Sequence, residues 1–189
     1  MAIVDELFNI TLGERRIKMQ REMPEYIPHK KRDERIKSAV TAIKVIVPLD
    51  IIESLKKGLI SKCFWQITEA DGKYETRYRS KGALDLYDRG NSKELKKKLR
   101  HEHVFEKKRL IKKVIENPDK IEDIAGSAIG CTVTKEEHKR LSHSNPDFEG
   151  WERYKAADIK IYDLKERKEH QIPPLNENII RGSKEKRKK

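Results

Sequence analysis

Apolar residues in this chain stand in short blocks, spaced by three and four residues in some places and by two in others, with dense charge between them. This pattern limits the fold more than any other feature. With 35% hydrophobic and 40% charged residues, the 189-residue chain folds only by gathering those blocks around a modest core whose rim is covered by Lys and Arg stems. The length suits one domain with a small appended element. Ile36, Val40, Ile43 and Val47 follow the candidate cap Asp33 at helical spacing, and Pro48 ends that helix or opens the next. Ile51, Ile52, Leu55 and Leu59 make a second stripe, with Gly58 as an end signal. The two helices are expected to pack on each other through these stripes.

From Ser61 the texture changes. The run KCFWQITEADGKYETRYRS reads as strand, turn, strand, because aromatic and β-branched residues flank Asp71-Gly72, a strong hairpin signal. Arg77 and Arg79 would share one face of the second strand, where they could meet phosphate. Residues 81–100 read as a polar connector, with a turn at Gly90-Asn91 and a short basic helix after Ser92. A short strand is expected over 101–104. Leu110, Ile111, Val114 and Ile115 suit a helix ending before Pro118, and Ile121 and Ile124 add one more turn. AIGCTVT is an apolar, β-branched strand, and KEEHKRLSH a charged helix opened by a capping-box pair, Thr134 and Glu137. Trp151 and Tyr154 then share a helical face, ahead of a strand over 159–162. The class is α+β: a basic N-terminal arm over 1–32, a helical pair and β-hairpin over 33–98, a strand–strand–helix core with its following helix and strand over 99–165, and a basic, disordered tail over 166–189.

The net charge of +12 points to a polyanionic partner, most simply nucleic acid, bound through phosphate contacts and therefore sensitive to salt. A solvated Lys-rich surface is the plainer alternative. Cys63 and Cys131, each in a strand-like stretch, are expected to be buried free thiols; two cysteines outside a CxxC pair do not build an all-cysteine zinc site. The start MAIVDELFNI carries no signal pattern, and no apolar run approaches membrane-spanning length. The expected location is the cytoplasm.

Histidine placement gives the sharpest chemical reading. His101 and His103 flank Glu102 in one candidate strand, and His138 follows on a helix just after the next strand. Such an order suits hydrolysis of a phosphodiester by one metal ion: a neutral imidazole takes a proton from water, and a divalent cation neutralises charge building on phosphate. Neighbouring residues in a strand point to opposite faces, so Glu102 and His103 can serve one centre only at a twisted strand end or bulge. The runs HEHVFEKKRL and AIGCTVTKEEHKRLS resemble the core of a divergent HNH, or His-Me finger (ββα-metal), endonuclease over residues 99–143. That resemblance implies His103 as general base, with Glu102 and His138 as ligands of Mg2+ or Mn2+. Arg100, Lys107, Lys108, Arg109, Lys139 and Arg140, together with Arg77 and Arg79, would hold the nucleic acid, expected to be DNA. A restriction or defence role fits by analogy, and cutting of a duplex would favour a two-fold homodimer. FWQITEADGKY, YRSKGA and GWERYKAA extend the likeness to a family of uncharacterised small bacterial or mobile-element proteins.

The sequence departs from the nuclease pattern in four places. Phe105 and Glu106 stand where a proline usually follows the histidine, no asparagine is placed to orient the ring, and the paired zinc cysteines are missing. The segment between His103 and the second strand is also longer than in compact members and reads as helical. Asp85 with Glu94-Leu95-Lys96 has the residue types of acidic–acidic–lysine nucleases, a pattern that arises readily by chance in so Lys- and Glu-rich a chain. The competing readings are a non-catalytic nucleic-acid-binding protein, either a regulator or a degenerate nuclease, and a protein-interaction module.

Overall fold

The computed structural model describes residues 23–88, 93–144 and 147–175. The turn expected at Gly90-Asn91, most of the N-terminal arm and the end of the basic tail lie outside these residues. Eight α-helices and five strands are described, in the order α1 (Arg32–Ile46), α2 (Glu53–Thr68), β1 (Tyr78–Ser80), α3 (Lys81–Asp88), α4 (Lys93–Lys98), β2 (Leu99–His103), α5 (Lys107–Glu116), α6 (Ile121–Gly126), β3 (Gly130–Thr134), α7 (Lys135–Ser142), α8 (Glu152–Ala156), β4 (Ile161–Asp163) and β5 (Lys168–Glu169), with a 3-10 turn at Pro118–Lys120 before α6. The fold is α+β around one mixed sheet, ordered β2-β3-β1-β4-β5. β1 runs parallel to β3, and every other pairing is antiparallel.

The expected hairpin after Ser61 does not form. Ile60, Phe64, Ile67 and Thr68 recur at helical spacing and are buried, so the aromatic and β-branched run extends α2 to Thr68 through Gly58. Cys63 is consequently helical, and only Cys131 sits in a strand. Asp71-Gly72 does turn the chain, with Gly72 at a φ of 119°. Asp71 is a tertiary anchor there, accepting hydrogen bonds from the Tyr26 hydroxyl, the His29 amide and Arg32 Nε. The stripe read at the start of α2 is also displaced: Ile52 and Leu55 are exposed, and the core face begins at Ile60. Part of the expected polar connector over 81–100 folds as α3, capped by the Ser80 hydroxyl, which accepts from the Ala83 amide.

Two larger cores flank the sheet, beside a small cluster of Met23, Leu84, Tyr162 and Leu164. One joins α1, α2, α5 and α6 through Ile43, Phe64, Leu110 and Val114. The other sets Leu141 of α7 and Tyr154 of α8 against Cys131 and Val133 of β3. Phe105 packs against both. β2 and β3 pair without a bulge, His101 opposite Thr132, Glu102 opposite Cys131 and His103 opposite Gly130. Side chains therefore alternate strictly between the two helical layers. The expected capping box is present on α7: Thr134 Oγ1 accepts from the Glu137 amide, and the Glu137 carboxylate accepts from the Thr134 amide. No helix among the described residues is long and apolar enough to cross a membrane.

Candidate functional site

Strict alternation along β2 decides which candidate residues meet. Glu102 turns toward α7 and α8. His138 Nδ1 donates to its Oε2 at 2.6 Å, and Arg153 Nη2 lies 3.4 Å from its Oε1. The same guanidinium donates through Nη1 to the His103 and Val104 carbonyls, so Arg153 ties α8 to the end of β2. The carboxylate and guanidinium are largely buried, with side-chain exposures of 11% and 8%; His138 is 42% exposed. A carboxylate on Nδ1 fixes the orientation of the ring.

His103 turns the other way. Its ring meets Trp65 of α2 edge-on, with centroids 4.5 Å apart, and lies 5.4 Å from the His101 ring. Both His103 nitrogens are buried without a hydrogen-bond partner. Burial, helped by His101 and Lys107, pushes its pKa down to about 3. His101, fixed between the Lys73 carbonyl at 2.9 Å and Thr68 Oγ1 at 3.1 Å, is pushed down by burial to about 4. Gly130, opposite His103, is the residue that admits this layer: a Cβ there would stand 2.6 Å from His101 Cε1 and from the Thr68 carbonyl oxygen. Glu102 and His138 thus come together, and His103 belongs to a neutral, buried layer on the opposite face of the sheet.

The Glu102 site does not fit a dedicated metal ion. Both carboxylate oxygens face nitrogen donors, one of them a guanidinium whose charge opposes a cation. Among the described residues no three His, Cys, Asp or Glu side chains gather to hold a metal.

The cationic candidates fall into two groups. Some are engaged within the fold. Arg77 binds Asp163 in a two-pronged pair at 2.8 and 2.5 Å. Arg79 is buried, paired with Glu75 and stacked 4.1 Å over the Tyr87 ring, so it presents no surface to phosphate. Arg109 pairs with Glu106 and Glu149, and the Lys107 ammonium sits 4.6 Å over Trp65. Of the others, Lys108, Lys139 and Arg140 are exposed and Arg100 is half-buried. Arg140 donates to the Ala157 and Asp158 carbonyls, and Arg100 donates to the Leu99 and Lys97 carbonyls. Sequence reasoning missed Arg153 and Trp65. Nothing local marks Arg153 as the partner of a residue 51 positions away, and Trp65 was hidden by the strand-like texture of a helical segment.

No protein-family model, curated protein or solved structure matches the chain.

Proposed function

We propose that this chain binds nucleic acid, DNA first, through its cationic surface, and that it does so without cutting. The observation that carries the reading is the +12 charge, with Lys139 and Arg140 exposed on α7 beside His138 and with Arg100 on β2 two residues from Glu102. A separated His103 supports the non-catalytic form, because a base on the far side of the sheet cannot act on a phosphate held near Glu102. The test is binding of labelled duplex DNA, single-stranded DNA and RNA over a range of salt, beside a Lys108/Lys139/Arg140→Ala variant. Affinity should fall steeply with salt, and the slope should drop by about one for each lost phosphate contact. Salt-independent binding, or none at low salt, overturns the reading.

One observation favours a second reading, the 2.6 Å bond between His138 and Glu102. The order β2, β3, α7 with this pair between strand and helix is the arrangement expected of a ββα-metal nuclease. In this reading His138 accepts the proton of an attacking water at Nε2 and Glu102 holds its ring, a role sequence reasoning gave to His103. Cleavage of plasmid or RNA, with and without magnesium or manganese, separates the two. Cleavage lost in His138→Ala and kept in His103→Phe supports this second reading. A requirement for either metal would mean that Glu102 leaves Arg153 to bind it.

A further inference from the structure

A cleft of about 390 Å³ opens between the start of α1, the ends of α2 and α6, and the leading ends of the parallel strands β1 and β3. Its volume lies at the lower end of the range for small-molecule sites, roughly 300–1,000 Å³. Ile36, Ile67 and Ile129 give it an apolar lining and Tyr26 adds an aromatic wall, while Tyr78 lines its edge with its ring against Trp151 and His170. Two guanidiniums, Arg32 and Arg77, also line it. Neither is loose: Arg32 gives Nε to Asp71 and Nη1 to Asp33, and Arg77 gives Nε and Nη2 to Asp163. Those bonds leave Nη2 of Arg32 and Nη1 of Arg77 to donate to a ligand, from side chains whose ordering is already complete. Asp71, the acid in the cleft, accepts from Tyr26, the His29 amide and Arg32 and is charge-balanced by Arg32. Asp163 is balanced in the same way by Arg77, with Glu166 3.8 Å away, so both guanidiniums would meet a ligand as hydrogen-bond donors and not as uncompensated charges. Gly126 lines the same space, and a Cβ there would meet nothing within 4 Å.

From this geometry we infer that the cleft is a nucleotide site, taking one planar base against its aromatic and aliphatic walls and the attached phosphate on Arg32 and Arg77. Aromatic and guanidinium faces accept any base by stacking, and fixed guanidinium donors suit phosphate. Two sources present this chemistry: a free mononucleotide, or an unpaired unit of a strand held by the cationic surface. Only the strand-borne source rests on the nucleic-acid reading above.

The experiment is calorimetric titration of the full chain with adenosine and cytidine monophosphate, inorganic phosphate, and a short unpaired oligonucleotide. Fluorescence is followed in parallel, because the Trp151 ring lies 5.0 Å from Tyr78 at the edge of the cleft. Gly126→Leu fills the open space from the end of a helix, and Gly58→Leu, also in open space on α2, is the control. Mononucleotide affinity should fall about tenfold or more in Gly126→Leu and stay unchanged in Gly58→Leu, with both variants as stable as the parent. Failure of the parent to bind either mononucleotide overturns the site. So does equal binding by the two variants, and so does an affinity for inorganic phosphate that matches the mononucleotides. Mononucleotide binding without any duplex or oligonucleotide binding keeps the cleft and removes the nucleic-acid reading. Oligonucleotide binding that survives Gly126→Leu while mononucleotide binding is lost assigns the cleft to the free nucleotide.

Discussion

The His138 ring on α7 reaches the Glu102 carboxylate on β2 at 2.6 Å, and Arg153 on α8 approaches the same carboxylate from its other oxygen. One acidic side chain, nearly shielded from water, thereby joins two helices to a sheet edge. The three partners are unequally buried, and that inequality has measurable consequences.

Glu102→Ala should destabilise the protein far more than His138→Ala. Removing the carboxylate strands the Arg153 guanidinium, itself 8% exposed, without its counter-charge, a loss of about 3–5 kcal/mol for a broken buried pair. His138→Ala leaves Glu102 paired with Arg153 and removes a half-exposed bond, for a loss of about 1 kcal/mol. Urea denaturation of the two variants checks the order. Equal losses would mean that Arg153 does not depend on Glu102.

His103→Phe should be neutral or stabilising. The ring packs on Trp65 at 4.5 Å, and its two nitrogens lie buried without partners. A buried polar group with no hydrogen bond costs about 1–3 kcal/mol, and an apolar ring of similar shape removes that penalty. A midpoint that rises or stays level in thermal unfolding fits; a fall equivalent to more than about 1 kcal/mol would reveal a hydrogen-bond partner for His103.

Gly130→Ala should be strongly destabilising despite its small size. The new methyl would collide at 2.6 Å with a backbone carbonyl and with a histidine fixed by two hydrogen bonds, so neither neighbour yields cheaply. Overpacking of this kind costs about 1–3 kcal/mol. Gly126→Ala, in open space, should show no such loss; chemical denaturation of both variants makes the comparison.

From residue 99 to β4 the chain was readable from sequence because its signals are local, whereas β5, which pairs with β4 inside the stretch expected to be a disordered tail, was not. Thr134 and Glu137 sit at the spacing their mutual bonds require, Pro118 ends α5, and β-branched residues mark β3. In the region before residue 99, the first helix and the short basic helix after Ser92 were readable too, but the run after Ser61 was not. Phe64, Trp65 and Ile67 have strand-like side chains, and only their burial against α1 and α5 selects the helix; tertiary packing outweighs propensity there. The site was half readable for a related reason. Sequence order placed Glu102 near His138, but the face of β2 to which each residue points depends on a register set by pairing with β3. A bulge would have put His103 beside Glu102, and nothing in HEHVF excludes one.

The buried histidine layer makes stability depend on pH before most carboxylates titrate. His101 and His103 are held neutral in the fold, with pKa values of about 4 and about 3, and burial lowers His170 in the same direction. In the unfolded chain each would take up a proton near pH 6.5. The unfolded state therefore binds more protons below that pH. The stabilisation is complete above about 6.5 and drains away as pH falls toward the folded-state values. Between pH 6.5 and 5 the loss should reach up to about 2 kcal/mol for each of the two deeply buried rings, at roughly 1.4 kcal/mol per pH unit. Denaturation at pH 7, 6 and 5 should give a steadily falling unfolding free energy, and His103→Phe should show about half that fall because one of the two rings no longer titrates. If the variant loses stability as fast as the parent, His103 takes up its proton in the folded state and the layer around Trp65 is open to water.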